Sequence, residues 1–255
     1  MNRYRLSTLL LAVMLLLVVL GLGSAGATAA PEELAWDDLG QVLPDGTAIN
    51  AITSTGGEIV GGSAVSPVML FGYDTAAAVN RQKATTFAVG VLTPRDASSV
   101  YVGTLAQFSQ GHLWSYGPAD GSLVDLGQIN AEYAHGLTVG QDGKVYVSAC
   151  CNGAFSIYDP ATNTWNYKGQ IIAGQRRMAA LATAADGTIY GTTTHMSTSP
   201  PSGGAVLYKY DPATGLATNL HTIWSGTRDA MNLLYNPLDQ RLYGTVSYQM
   251  VPRLF

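Results

Sequence analysis

Residues 142–171, DGKVYVSACCNGAFSIYDPATNTWNYKGQI, hold three short β-rich runs: Val145-Tyr-Val147, Phe155-Ser-Ile-Tyr158 and Tyr167-Lys-Gly-Gln-Ile171. The Asp142-Gly143 pair before the first run suits a tight hairpin turn. The stretch Asp159-Pro-Ala-Thr-Asn163 separates the second run from the third. Its proline fixes φ, and its asparagine accepts a left-handed conformation, so the chain reverses there.

The same order recurs along the chain. Leu70-Phe-Gly-Tyr73, Leu113-Trp-Ser-Tyr116 and Leu207-Tyr-Lys-Tyr210 match the second run, and the tyrosines lie 43, 42 and 52 residues apart. Ile59-Val-Gly61, Val100-Tyr-Val-Gly103, Ile189-Tyr-Gly191 and Leu242-Tyr-Gly244 match the first. Asp125-Leu-Gly-Gln-Ile129 matches the third, with Asn219-Leu-His-Thr-Ile223 a looser copy. With the run that precedes each Asp-Gly turn, every unit holds four strands, here called a, b, c and d. Four antiparallel strands at a period of roughly 44 residues predict an all-β fold, a β-propeller of four-stranded blades. About five blades are visible. Asp38-Leu-Gly-Gln-Val42 is a d strand with no a, b or c before it, as ring closure by the N-terminus requires. The fifth unit reaches only Pro252-Arg-Leu-Phe255. Two readings stand: a five-bladed ring with an incomplete last blade, or the front part of a longer, seven-bladed protein.

Residues 1–30 read as a secretory signal peptide. Arg3 and Arg5 give a positive start, Leu9 to Leu22 is apolar, and Ala27-Thr28-Ala29 fits a cleavage site. The apolar run falls short of the roughly 20 residues that span a bilayer. The predicted propeller domain is therefore 31–255, in a secreted or extracytoplasmic protein with no membrane association after cleavage. Loss of the two leader arginines leaves 11 basic against 17 acidic residues. That balance argues against nucleic acid as a partner, which needs a basic footprint.

The Ile189-Tyr-Gly191, Tyr210-Asp-Pro-Ala-Thr214 and Asp125-Leu-Gly-Gln128 motifs together resemble secreted bacterial propellers of the kelch, NHL and streptogramin-lyase-like superfamilies. The resemblance covers nearly all of the mature chain. Such propellers include lyases, lactonases, quinoprotein dehydrogenases and binding modules, so it implies architecture and not activity. The twin-glycine and tryptophan pattern of a kelch repeat proper is missing.

Strand alternation puts the a–b and c–d turns on one face of the disc and the b–c and d–a loops on the other. Aspartates crowd the first face, and most belong to turns in which they bond their own backbone. Arg81, Arg176, Arg177 and Arg228 are assigned to d–a loops on the second face, where guanidinium forks suit a carboxylate-bearing ligand. The other reading is a set of solvated charges, such as Arg228 beside Asp229. His135 and His195 fall on the same face and are the candidate catalytic pair; lone histidines also satisfy local hydrogen bonds. Tyr133, Trp224 and Tyr248 are candidate aromatic contacts. Cys150-Cys151 ends a b strand. In an oxidising compartment the pair forms a vicinal disulfide, a plate for a ligand to rest on, or it stays as two thiols facing opposite ways. The stretch 195–204 is an insertion in the fourth b–c loop, either a lid or a surface extension.

No metal-ligand spacing, nucleophile elbow, Walker loop or dinucleotide fingerprint is present, so neither a metal nor a cofactor is expected. The leading expectation is a binding or interaction module for an anionic glycan, a small molecule or a protein. The alternative is a carbohydrate or lactone lyase or hydrolase at the b–c/d–a face, with His135 or His195 moving the proton. An enzyme predicts that the histidines and arginines converge; a binding module predicts exposed aromatics and no perturbed titratable group.

Overall fold

The computed structural model describes residues 42–44, 47–105, 110–194, 204–223, 229–248 and 251–254. The leader, residues 1–30, lies outside them. The chain divides into two compact units after Gln41, and all of the described residues belong to the second.

Nineteen strands and no helices form among the described residues. The first blade is β1 (Ile49–Thr55), β2 (Glu58–Ser63), β3 (Met69–Asp74) and β4 (Val79–Ala84). The second is β5 (Ala88–Pro94), β6 (Val100–Leu105), β7 (His112–Gly117) and β8 (Ser122–Gln128). The third is β9 (Tyr133–Val139), β10 (Val145–Cys150), β11 (Ala154–Asp159) and β12 (Thr164–Gln170). The fourth is β13 (Arg177–Thr183), β14 (Ile189–Thr194), β15 (Val206–Asp211) and β16 (Leu216–Thr222). The fifth unit adds β17 (Asp229–Asn236), β18 (Arg241–Tyr248) and β19 (Val251–Leu254). Each strand pairs antiparallel with the next within its unit, in the a-b-c-d order of a propeller blade.

Burial follows position in the blade. The b strand β10 is buried along its whole length, whereas the d strands β4, β12 and β16 are mostly exposed. A b strand is covered on both faces because a neighbouring blade lies on each side. Alternate residues of β10 accordingly enter different cores. Val145 and Val147 pack with Tyr101, Leu113 and Ile129 of the second blade. Tyr146, between them, packs with Met178, Ile189 and Tyr210 of the fourth.

The glycine of the b-strand motif follows from this packing. A Cβ at Gly191 would lie 2.3 Å from the Tyr208 ring, and one at Gly61 would lie 2.4 Å from Phe71. The ring of the c strand needs the space a side chain would take. Turn chemistry is equally local: Asp159 Oδ1 accepts Ala161 N–H and Asp211 Oδ1 accepts Ala213 N–H. Asn163 (φ 54°) and Gly215 (φ 71°) take the left-handed position that closes each c–d turn.

Of the isolated d-strand motif, Val42 is described and residues 38–41 are not. The Val42 carbonyl accepts Asn80 Nδ2 and Gln82 Nε2 from β4, each at 2.9 Å. Likewise the Leu126 and Gln128 carbonyls of β8 accept Trp165 Nε1 and Tyr167 O–H from β12. Val42 stands beside β4 as an outer strand stands beside the next blade. Among the described residues no helix is long and apolar enough to cross a membrane.

The packing of Tyr208 over Gly191 is testable. Tyr208 is fully buried and has no room to retreat, so Gly191→Ala should lower unfolding free energy by about 1–3 kcal/mol, the usual cost of overpacking. Unchanged stability in denaturant titration would refute this account of the motif.

Candidate functional site

The inner strands of the second, third and fourth blades touch at one end. Tyr133 of β9 pairs with Leu105 of β6 and, within its own blade, with Cys150 of β10. Cys150 in turn pairs with Arg177 of β13, and Arg177 pairs with Thr194 of β14. This row lies at the b–c/d–a end and brings Tyr133, Cys150, Arg177 and Thr194 side by side. His135, two residues on from Tyr133, faces it with ring centroids 6.2 Å apart.

Three buried polar atoms in this row lack a hydrogen-bond partner among the described residues: His135 Nε2, Arg177 Nε and Thr194 Oγ1. Leaving such groups unpaired is costly, by about 1–3 kcal/mol each, and more for a charged group. Burial, and then the Arg177 guanidinium, hold the His135 pKa down at about 4, from an ordinary value of 6.5. The imidazole is thus neutral at neutral pH. A guanidinium, a neutral imidazole and a hydroxyl together offer donors to an anion.

Cys150 and Cys151 form a disulfide across a cis peptide bond. Cys150 is 2% exposed, and Cys151 is half-buried. Comparison of the blades explains its setting. Ser63 Oγ accepts Met69 N–H, Thr104 Oγ1 accepts His112 N–H, and Thr193 Oγ1 accepts Val206 N–H. Each of these bonds ties the end of a b strand to the start of its c strand. In the third blade Ala149 takes that position and cannot do so. The adjoining loop holds the cysteine ring, and Asn152 Oδ1 accepts Ala154 N–H instead.

His135 has a comparable history. Counted from the a–b turn, its equivalents in the flanking inner strands are Gly90 and Ala179. Aligning the units by strand would have exposed this large polar residue, at a bulge position that Asn50 fills in the first blade. Thr194 and the row linking Tyr133, Cys150 and Arg177 carried no comparable signal, because they depend on pairing between blades.

Arg176, beside Arg177, is exposed. Arg81 was assigned to a d–a loop, but it lies within β4, since that strand runs on to Ala84. Its guanidinium binds Glu58 Oε1 at 3.0 Å and lies 3.8 Å from Asp74 Oδ2, far from the row of inner strands in sequence and engaged by turn carboxylates. His195, Trp224, Arg228 and most of the 195–204 insertion lie outside the described residues, as does the side chain of Tyr248. His112, for which the sequence suggested no partner, sits 3.0 Å from both Asp125 oxygens. Among the described residues no group of three or more His, Cys, Asp or Glu is arranged to hold a metal ion.

No protein-family model matches the chain. No curated protein matches its sequence. Solved structures match its fold. Virginiamycin B lyase from Staphylococcus aureus is 11% identical with a TM-score of 0.62, over 82% of this chain and 70% of that one. The extracellular domain of a one-component system from B. thetaiotaomicron is 15% identical with a TM-score of 0.56, over 84% of this chain and 28% of that one. YCF48 bound to D1 peptide is 12% identical with a TM-score of 0.57, over 81% of this chain and 63% of that one. The chain thus spans under a third of the second of these proteins and under two thirds of the third. At these identities the likeness concerns the fold: the chain is a β-propeller, resembling streptogramin-lyase-like propellers in architecture.

The depressed His135 pKa carries a sign. As pH falls from about 6.5 towards about 4, the unfolded chain takes up a proton that the folded site refuses. Stability should fall across that window, and His135→Gln should remove this part of the fall. Parallel stability–pH curves for the two proteins would show that His135 is not held neutral.

Proposed function

We propose that this propeller is a ligand-binding module whose b–c/d–a face receives an anionic ligand, of the class of a carboxylate-bearing glycan. The observation that carries the reading is the set of three unpaired buried polar atoms on His135, Arg177 and Thr194. A carboxylate is acceptor-only and has lone pairs for several donors. Arg177 would supply the charge-assisted bond, Thr194 a hydroxyl, and Tyr133 with the Cys150–Cys151 ring a flat neighbouring surface. Exposed Arg176 would add long-range attraction without desolvation. Arg228, Tyr248 and His195 belong to the same face by chain order and extend the proposal. The leader supports an exported location, and no member of the site requires a cofactor.

One observation favours the second reading, a lyase or hydrolase of carbohydrates or lactones. A binding module was expected to hold no perturbed titratable group, yet His135 is one. An unprotonated imidazole is able to accept a proton. Yet with a pKa of about 4 it is a weak base, well below the near-neutral value that serves proton transfer best. Binding is therefore placed first.

Titration with an oligogalacturonide and with its neutral, carboxyl-reduced counterpart tests the reading. The acidic form should bind at least about tenfold more tightly, and Arg177→Gln should lose about tenfold or more, the worth of a charge-assisted hydrogen bond. Equal binding of the two forms would remove the anion site. Turnover of oligogalacturonide or of a lactone, abolished in His135→Ala, would move the protein to the second reading. For the leader, the N-terminus of the extracytoplasmic protein should map near residue 30; retention of Arg3 and Arg5 would refute cleavage.

A further inference from the structure

The opposite face, at the a–b turns, holds a cavity of about 490 Å³ between the fourth and fifth units. Ala185, Asp186, Tyr190, Tyr235, Gln240 and Leu242 line it. Its origin is legible by comparing blades. Between the third and fourth units the corresponding space is closed by Gln141, whose Nε2 donates to the Ala185 carbonyl at 2.6 Å and to the Ala184 carbonyl at 3.3 Å. Ala185 occupies the Gln141 position in the fourth unit, one residue before the turn aspartate, and has no amide to send across. The plug is missing where the cavity begins.

A second difference falls on the same blade. In the third unit Tyr146 O–H donates to Asp142 Oδ2 at 2.8 Å, and in the fifth Tyr243 O–H donates to Asp239 Oδ2 at 2.5 Å. The fourth unit has the same pair of residues, Tyr190 and Asp186, at the same spacing. Among the described residues they make no such bond. Asp186 Oδ1 accepts Thr188 N–H at 2.9 Å, and neither Oδ2 nor the Tyr190 hydroxyl has a hydrogen-bond partner among the described residues. The fourth unit, which has no glutamine at the plug position, is also the one of three Asp–Tyr units whose pair is not bonded, and both residues line the resulting space.

The chemistry of the lining selects the occupant. Asp186 brings a charge that no cation neutralises among the described residues; Lys144 lies 3.6 Å from Asp142, and Arg241 interacts with Asp239. Tyr190 from β14 and Tyr235 from β17 line the cavity together with Asp186, so two phenols from adjoining units share it with the carboxylate. Aromatic faces beside a carboxylate attract a cation, and Leu242 with Ala185 accommodates a short methylene chain. We propose that this cleft is a binding site for a small organic cation, a guanidinium or ammonium group on a short aliphatic chain. It lies on the other face from the anion site and is independent of it.

Agmatine, butylurea as its neutral counterpart, and a blocked Gly-Arg-Gly peptide are the probes, titrated against the full chain by calorimetry. Agmatine should bind saturably, and butylurea at least about tenfold more weakly. Ala185→Gln restores the residue of the third unit; since Ala185 is exposed, it should leave the thermal midpoint unchanged while abolishing agmatine binding. Asp186→Asn should weaken binding about tenfold or more. No saturable agmatine binding, equal binding of butylurea, or undiminished binding in Ala185→Gln overturns the site. Tighter binding of the peptide than of agmatine overturns its assignment to small molecules. None of these results bears on oligogalacturonide at the opposite face.

Discussion

The b strands β6, β10 and β14 are each squeezed between two neighbouring blades, and most of the rest follows from that. A strand buried on both faces cannot alternate apolar with polar residues, so β6, β10 and β14 are nearly continuous runs of Val, Ile, Tyr and small residues. Each side chain is committed to one interface or the other, as Val145 and Tyr146 illustrate. The cores are therefore interfaces between blades, one per neighbouring pair, with none belonging to a single sheet. This is the nearest-neighbour stability of repeat architectures. It also explains the burial gradient, since the d strands are farthest from the crowded middle and need little apolar character.

Crowding at the inner strands builds the candidate anion site. Adjacent a and b strands approach closely enough for backbone pairing across blades, through Leu105 with Tyr133 and Cys150 with Arg177. Small residues permit the approach: a Cβ at Gly136 would lie 2.2 Å from the Ala179 carbonyl oxygen. Ser148 Oγ donates to that same carbonyl, and Thr192 Oγ1 donates to the Ala230 carbonyl. Into this tight seam the third blade introduces His135 where its neighbours have Gly90 and Ala179. The desolvation that lowers the His135 pKa is thus the ordinary condition of the seam, applied to a residue that is not ordinary there.

Much of the architecture was legible because it is written in turns and tyrosines. Asp-Gly and Asp-Pro-Ala-Thr mark chain reversals by local chemistry, and the Leu-x-x-Tyr runs mark the c strands. The vicinal cysteines, His135 and Arg177 were also visible as candidates, since residue type alone flags them. Their convergence was not, because register between blades depends on close packing that no single unit encodes. Arg81 shows the limit well. Its charge suggested a loop, whereas its strand continues three residues further and its guanidinium serves Glu58 and Asp74. Assigning charges to a face from loop boundaries fails when a boundary moves by a few residues.

The b–c junction of the third blade has a further consequence. Its sister junctions rely on a hydroxyl gripping a backbone amide, a fastening that water competes for at every moment. With Ala149 in that place, Asn152 Oδ1 takes over the grip on the Ala154 amide, and the Cys150–Cys151 bond joins only the two residues that lead into the turn. Among the described residues, this junction alone carries a bond that a dithiol reduces, so its local rigidity, unlike that of its sisters, answers to the redox chemistry of its surroundings.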